Sequence, residues 1–106
     1  MKLSILGTEY DFEAVHRTDD VQLVDSDGIA DFNAKTIRVA IDFLENDPGI
    51  TRALYAYKSK VKRHEIAHTF LYESGMQEWA DDEKLVEWIA IQFPKMLEAF
   101  KEVDAI

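Results

Sequence analysis

Cysteine is absent from the 106 residues. That single absence excludes a disulfide scaffold, a thiolate zinc cluster and a thiol nucleophile, so any metal must be held by His, Asp or Glu. Long apolar runs are also missing. Nothing approaches the roughly 18 residues of a membrane-spanning helix, and residues 1–7 are too short for a signal-peptide core. The expectation is a soluble, cytoplasmic protein. Positive charge is scarce, with 12 basic against 21 acidic side chains and a formal charge of −9. An electronegative chain is a poor general binder of nucleic acid, because phosphate contacts need a positive surface.

What is present points to a folded domain. A hydrophobic fraction of 47% with 11% aromatics is too high for a disordered acidic tail. A chain of this length buries roughly 65% of its unfolded surface, enough for one core. No repeat, low-complexity stretch or linker divides it, so residues 1–106 are read as one domain.

The first half alternates like strands. Leu3 and Ile5 share one face, and Tyr10, Phe12 and Ala14 another, so these segments are expected to pair as a hairpin after Gly7-Thr8. Val21 and Leu23 suggest a third short strand, stopped by the Asp27-Gly28 turn signal. Residues 29–32 and 36–41 read as a second hairpin across Asn33-Ala34-Lys35. After a loop at 45–49 the period becomes helical. Leu54, Tyr57, Val61, His64, His68 and Leu71 fall on one face of a helix over about 51–73, with a possible break at 58–60. Ser74-Gly75 marks its end, and Asp81 and Asp82 are candidate caps for a second helix over about 82–93. Pro94 is expected to start or kink a third, striped by Met96, Leu97, Phe100 and Val103. The fold class expected is α+β: a small, mainly antiparallel N-terminal sheet packed on the metal-bearing helix and the helices that follow.

The chemistry lies in Arg63-His64-Glu65-Ile66-Ala67-His68, which contains His-Glu-x-x-His. Residues four apart on a helix lie one turn above each other, so the two histidines can converge on one metal ion. Glu65, rotated about 100° from His64, stands beside that ion as a candidate general base. With 3 His and 10 Glu in the chain, chance would produce the pattern at about 0.8%. A catalytic zinc needs a third protein ligand. Glu83 and Glu87, again four apart, share a stripe with Val86 and Ala90, and a carboxylate pair among apolar neighbours is costly to bury without a cation. Glu83 is therefore assigned as third ligand. Glu87 is assigned to orient a ligand histidine through a hydrogen bond.

His64-Glu65-Ile66-Ala67-His68, followed by Glu83 and by Glu87-Trp88-Ile89-Ala90-Ile91-Gln92-Phe93-Pro94, resembles the ImmA/IrrE family of zinc metallopeptidases, common in prophages. The likeness spans about 36–94. It implies a zincin-like fold, one Zn2+ per chain, and a peptide or protein substrate such as a helix-turn-helix repressor. Glu87 fills the place of the acidic or amide residue four positions after the family's glutamate ligand.

In such a site Glu65 takes a proton from water and passes it to the leaving amine. A second donor is expected to complete oxyanion stabilisation. Tyr72, one turn beyond His68, is the first candidate, with Tyr55, Tyr57 and His16 as others. The strand at 36–41 is a candidate edge for lining up an extended peptide. Lys58, Lys60, Lys62 and Arg63 form the one basic cluster, read mainly as a solvated flank. Trp79 and Trp88 are expected in the core. Two readings compete with the peptidase. One is a non-catalytic interaction module whose acidity suits a basic partner. The other is a di-iron bundle built on Glu13-x-x-His16 and Glu65-x-x-His68, which the strand-like N-terminal half disfavours.

Overall fold

The computed structural model describes residues 1–42 and 51–106; the loop expected at 45–49 lies outside the described residues. Two strands open the chain, β1 (Lys2–Ile5) and β2 (Thr8–Val15). They pair antiparallel, Ile5 opposite Thr8. The link between them is Leu6-Gly7, both at positive φ (50° and 87°), the signature of a tight hairpin turn whose twist matches its strands. β3 (Gly28–Asp31) and β4 (Thr36–Ala40) form the second hairpin, as expected. Asp31 accepts from the backbone N–H groups of Asn33 and Ala34 and so closes its turn.

The four strands join in the order β1-β2-β4-β3, with β2 and β4 parallel. The sheet is therefore mixed: two of its three pairings are antiparallel, in line with the mainly antiparallel expectation, and the parallel β2-β4 ladder was not expected. Alternation sets which face each residue takes but leaves the partner strand open. Residues 21–23 are likewise a single 3-10 turn and not a strand. Asp20 caps that turn through the Gln22 N–H, and Leu23 is buried while Val21 is exposed.

Helix α1 (Thr51–Glu73) runs unbroken through 58–60. It packs across β3 and β4. Val61 meets Leu23, Val39 and Ala40, and Ile66 meets Ile5, Tyr10 and Ile37. Each such side chain, fully buried, contributes about 1.5–3 kcal/mol. The C-terminal end of α1 is tied to the sheet by Glu73, which accepts from Tyr10 (2.6 Å), Thr8 (3.0 Å) and Lys35 (3.2 Å).

A short helix, α2 (Gln77–Ala80), follows Gly75, and then α3 (Glu83–Glu102). Asp82 caps α3, accepting from the N–H groups of Lys84 and Leu85. The two helices expected over 82–93 and from Pro94 are one continuous helix, with Pro94 inside it. A proline there removes the N–H that would bond to the carbonyl of Ala90. Arg63 supplies the missing donor, its Nε lying 2.6 Å from the Ala90 oxygen. Trp79 and Trp88 are each about half exposed, at 51% and 53%, and not in the core where they were expected. Among the described residues, no helix is long and apolar enough to cross a membrane.

Candidate metal centre

α1 carries His64, Glu65 and His68, and the first turns of α3 bring Glu83 and Glu87 against them. His64 Nε2 lies 3.0 Å from one Glu83 oxygen and His68 Nε2 lies 3.1 Å from the other. The two Nε2 atoms are 3.1 Å apart. Among the described residues these three form the one His/Asp/Glu group with metal-ligand geometry, their ligand atoms all within 4.8 Å of one another. The sequence-assigned ligands are thus together in space.

The far sides of both rings fix which nitrogen carries hydrogen. His64 Nδ1 faces Glu87 Oε1 at 3.2 Å, and His68 Nδ1 faces the Ala80 carbonyl. A carboxylate and a carbonyl can only accept, so each Nδ1 is the N–H. Both Nε2 lone pairs then point at each other and at the Glu83 carboxylate, three acceptors with no donor between them. A cation has to sit there, either a proton on one ring or a metal ion. A set of two imidazoles and one carboxylate, each held from behind by a hydrogen bond, suits a divalent metal such as zinc. The second Glu87 oxygen accepts from Lys60 Nζ at 3.2 Å. Those hydrogen bonds, with the Lys60 charge, outweigh burial and hold the Glu87 carboxyl below the usual range.

Glu65 is 5% exposed, and among the described residues no side chain donates to its carboxylate. Burial raises its pKa, opposed in part by the charges of His68 and His64. Gly28 of β3 makes room for it. A β-carbon at Gly28 would stand 2.8 Å from Glu65 Cγ and 3.1 Å from Val61 Cγ1, closer than packing allows. This need for glycine was not visible in the sequence, where Asp27-Gly28 read only as a turn.

Together these groups line a cavity of about 180 Å³, walled by Asp27, Gly28, Tyr57, Lys60, Val61 and the five residues just described. Tyr57 donates to Asp27, which raises the phenol's pKa to about 12 with help from burial. Asp27 is also paired with Arg17, whose guanidinium bonds the carbonyls of Leu23 and Ser26. Tyr72, the first candidate for the oxyanion, stacks on Phe32 at 4.1 Å and is not among the residues lining this cavity. Tyr55 is 75% exposed, and His16 sits in the sequence stretch after β2, also exposed. Glu13 is exposed on a strand, so the helix pair of a di-iron bundle does not form. The basic cluster is dispersed around α1. Lys58 bonds the Ile41 carbonyl, Lys60 enters the cavity, Arg63 turns to Ala90 and Lys62 faces solvent.

Comparison of the chain with protein-family models, with curated proteins and with solved structures gave no match.

Proposed function

We propose that this protein is a minimal zinc-dependent endopeptidase with a zincin-like fold. The observation that carries the reading is the convergence of the His64 and His68 Nε2 lone pairs on Glu83, with the Glu65 carboxylate in the same cavity. His64, His68 and Glu83 would hold the ion. When bound, zinc supplies Lewis acidity, lowering the pKa of water towards about 7 and polarising a carbonyl.

The chain's own groups do the rest. Glu65, largely buried at the cavity wall, takes up the proton that hydrolysis releases from water and delivers it to the departing amine. Glu87 and the Ala80 carbonyl keep both imidazoles in the ligating tautomer. Tyr57, protonated throughout the neutral range, stands at the wall as the phenol nearest in role to the expected oxyanion donor. The edge for a peptide is β3, not the 36–41 strand, because β4 lies inside the sheet. Ala40 N–H bonds Asp27 O, so by antiparallel alternation Gly28 and Ala30 turn their backbone groups outward. The Gly28 carbonyl takes the Ser26 hydroxyl at 2.7 Å, so it is the Gly28 N–H and the Ala30 groups that face outward beside Glu65, His68 and Glu83, where an extended substrate would add as a strand. The resemblance to the ImmA/IrrE family supports a cytoplasmic protein substrate, such as a helix-turn-helix repressor.

The test is elemental analysis of protein prepared without chelator or histidine tag, paired with Glu65→Gln. About one zinc per chain, retained in the variant while cleavage of a protein substrate is lost, is the expected result. No metal bound, even after zinc is added, would end the peptidase reading. Metal bound with no hydrolysis, and no change on Glu65→Gln, would favour the non-catalytic interaction module.

A further inference from the structure

The second half of α3 presents an apolar seam that is left exposed among the described residues. Val86, Ile89, Phe93, Met96, Phe100 and Val103 follow one another at spacings of three, four, three, four and three, the repeat of a helix that pairs with another helix. The seam's first residue, Val86, is fully buried. From Phe93 onward it is open, with Phe93 48%, Met96 37%, Phe100 38% and Val103 74% exposed. Where the seam leaves the body it borders a cleft of about 390 Å³ between α1 and α3, lined by Ile66, Ala67, Phe70, Leu71, Ile89 and Phe93, with Arg63 at its margin. Leu71 apart, the α1 residues of this cleft lie on a different face of the helix from His64 and His68.

We propose that this seam is a dimer interface, α3 pairing antiparallel with α3 of a second copy. A two-fold axis beside Glu98 sets Phe93 against Val103 and Met96 against Phe100, so that the projecting half of each helix runs towards the other copy's cleft. Charge selects this occupant. A second chain of −9 is repelled by most of the first, yet within α3 the positions flanking the exposed seam are Gln92, Leu97 and Ala99, all uncharged, and the one flanking charge, Asp104, lies beyond the helix end. A basic partner would be drawn instead to the acidic surfaces. The area also suffices. The open seam with Phe70 exposes about 450 Å² of apolar surface, which, doubled and given an ordinary polar share, makes an interface of about 1,500 Å². An antiparallel arrangement keeps the two bodies at opposite ends and leaves both metal cavities uncovered.

The experiment is sedimentation velocity on the full chain from about 1 to 200 μM, at physiological salt because like charges repel less there. The wild type should sediment as a dimer with a concentration-dependent monomer fraction. Phe100→Glu should give monomer across the range with an unchanged circular dichroism spectrum, while Ile91→Glu, on the outer face of α3, should not shift the equilibrium. Ala99→Cys, in a chain with no other thiol, should oxidise to a covalent dimer. A monomer at 200 μM would overturn the proposal. So would a dimer that survives Phe100→Glu.

Discussion

Arg63 Nε donates to the Ala90 carbonyl at 2.6 Å, and that carbonyl is the one Pro94 leaves without its helical partner. The bond joins the residue before the first histidine to the turn after Glu87, so it sets the register in which α1 and α3 meet at the metal group. It also explains how α3 passes through a proline without ending. Replacing Arg63 with Met should cost about 1–3 kcal/mol, because an oxygen among packed helices is left unbonded. In Pro94→Ala the helix supplies its own donor, and the same Arg63→Met change should then cost clearly less. Chemical denaturation of the four proteins in this double-mutant cycle measures the coupling. Additive costs would mean that the two residues act independently.

Gly28→Ala tests the position of Glu65 without touching a ligand. The added carbon would meet Glu65 Cγ at 2.8 Å, and the extended strand offers no backbone reason for glycine, so the effect is steric. Overpacking should cost about 1–3 kcal/mol. Zinc stoichiometry should stay near one while cleavage falls at least tenfold, since an acid–base group displaced by even a fraction of an ångström loses its alignment. Elemental analysis beside a cleavage assay separates the two effects. Loss of the metal would show that Gly28 supports the ligands and not the base.

The candidate metal group was legible because its logic is local. His64 and His68 are one helical turn apart, Glu83 and Glu87 another, and Asp82 announces the start of their helix. Non-local choices were hidden. Strand alternation could not reveal that β2 pairs with β4 in parallel, nor that β3 and not β4 is the edge. Pro94 misled because its cost is removed by a side chain 31 positions earlier. Tyr72 and Tyr57 sit on the same helix, and only the placement of Phe32 and Asp27 decides which of them faces the cavity. Trp79 and Trp88 are large and apolar, yet the core is filled by smaller residues from the sheet, the 21–23 turn and all three helices.

Glu73 gives a stability signature in acid. The Tyr10 hydroxyl, followed by Thr8 and Lys35, holds its carboxyl below the ordinary value of 4.5. A depressed folded pKa means that the unfolded chain takes up the proton first, so the stabilisation is present above about 4.5 and lost as pH falls through the folded value. Thermal melts of wild type and Glu73→Gln should differ most near neutrality, with the wild type higher. The gap should close in strong acid. A gap independent of pH would assign the effect to the hydrogen-bond geometry alone.

Glu65 should behave in the opposite sense in metal-free protein. Burial raises its folded pKa above 4.5, so the folded chain holds the proton more tightly than the unfolded one. Below about 4.5 both forms are protonated and the group is neutral in the balance. As pH rises through the interval between the two values, the folded state loses stability relative to the unfolded state. Glu65→Gln, which stays uncharged, should therefore be more stable than the wild type at pH 7 in the presence of a chelator. At pH 4 the two should melt nearly together. Zinc should erase the advantage at pH 7, because a cation on His64, His68 and Glu83 favours the ionised carboxylate beside it. A variant no more stable than the wild type at pH 7 without metal would mean that water in the cavity offsets the burial of Glu65, and the raised pKa argued from that burial would be wrong.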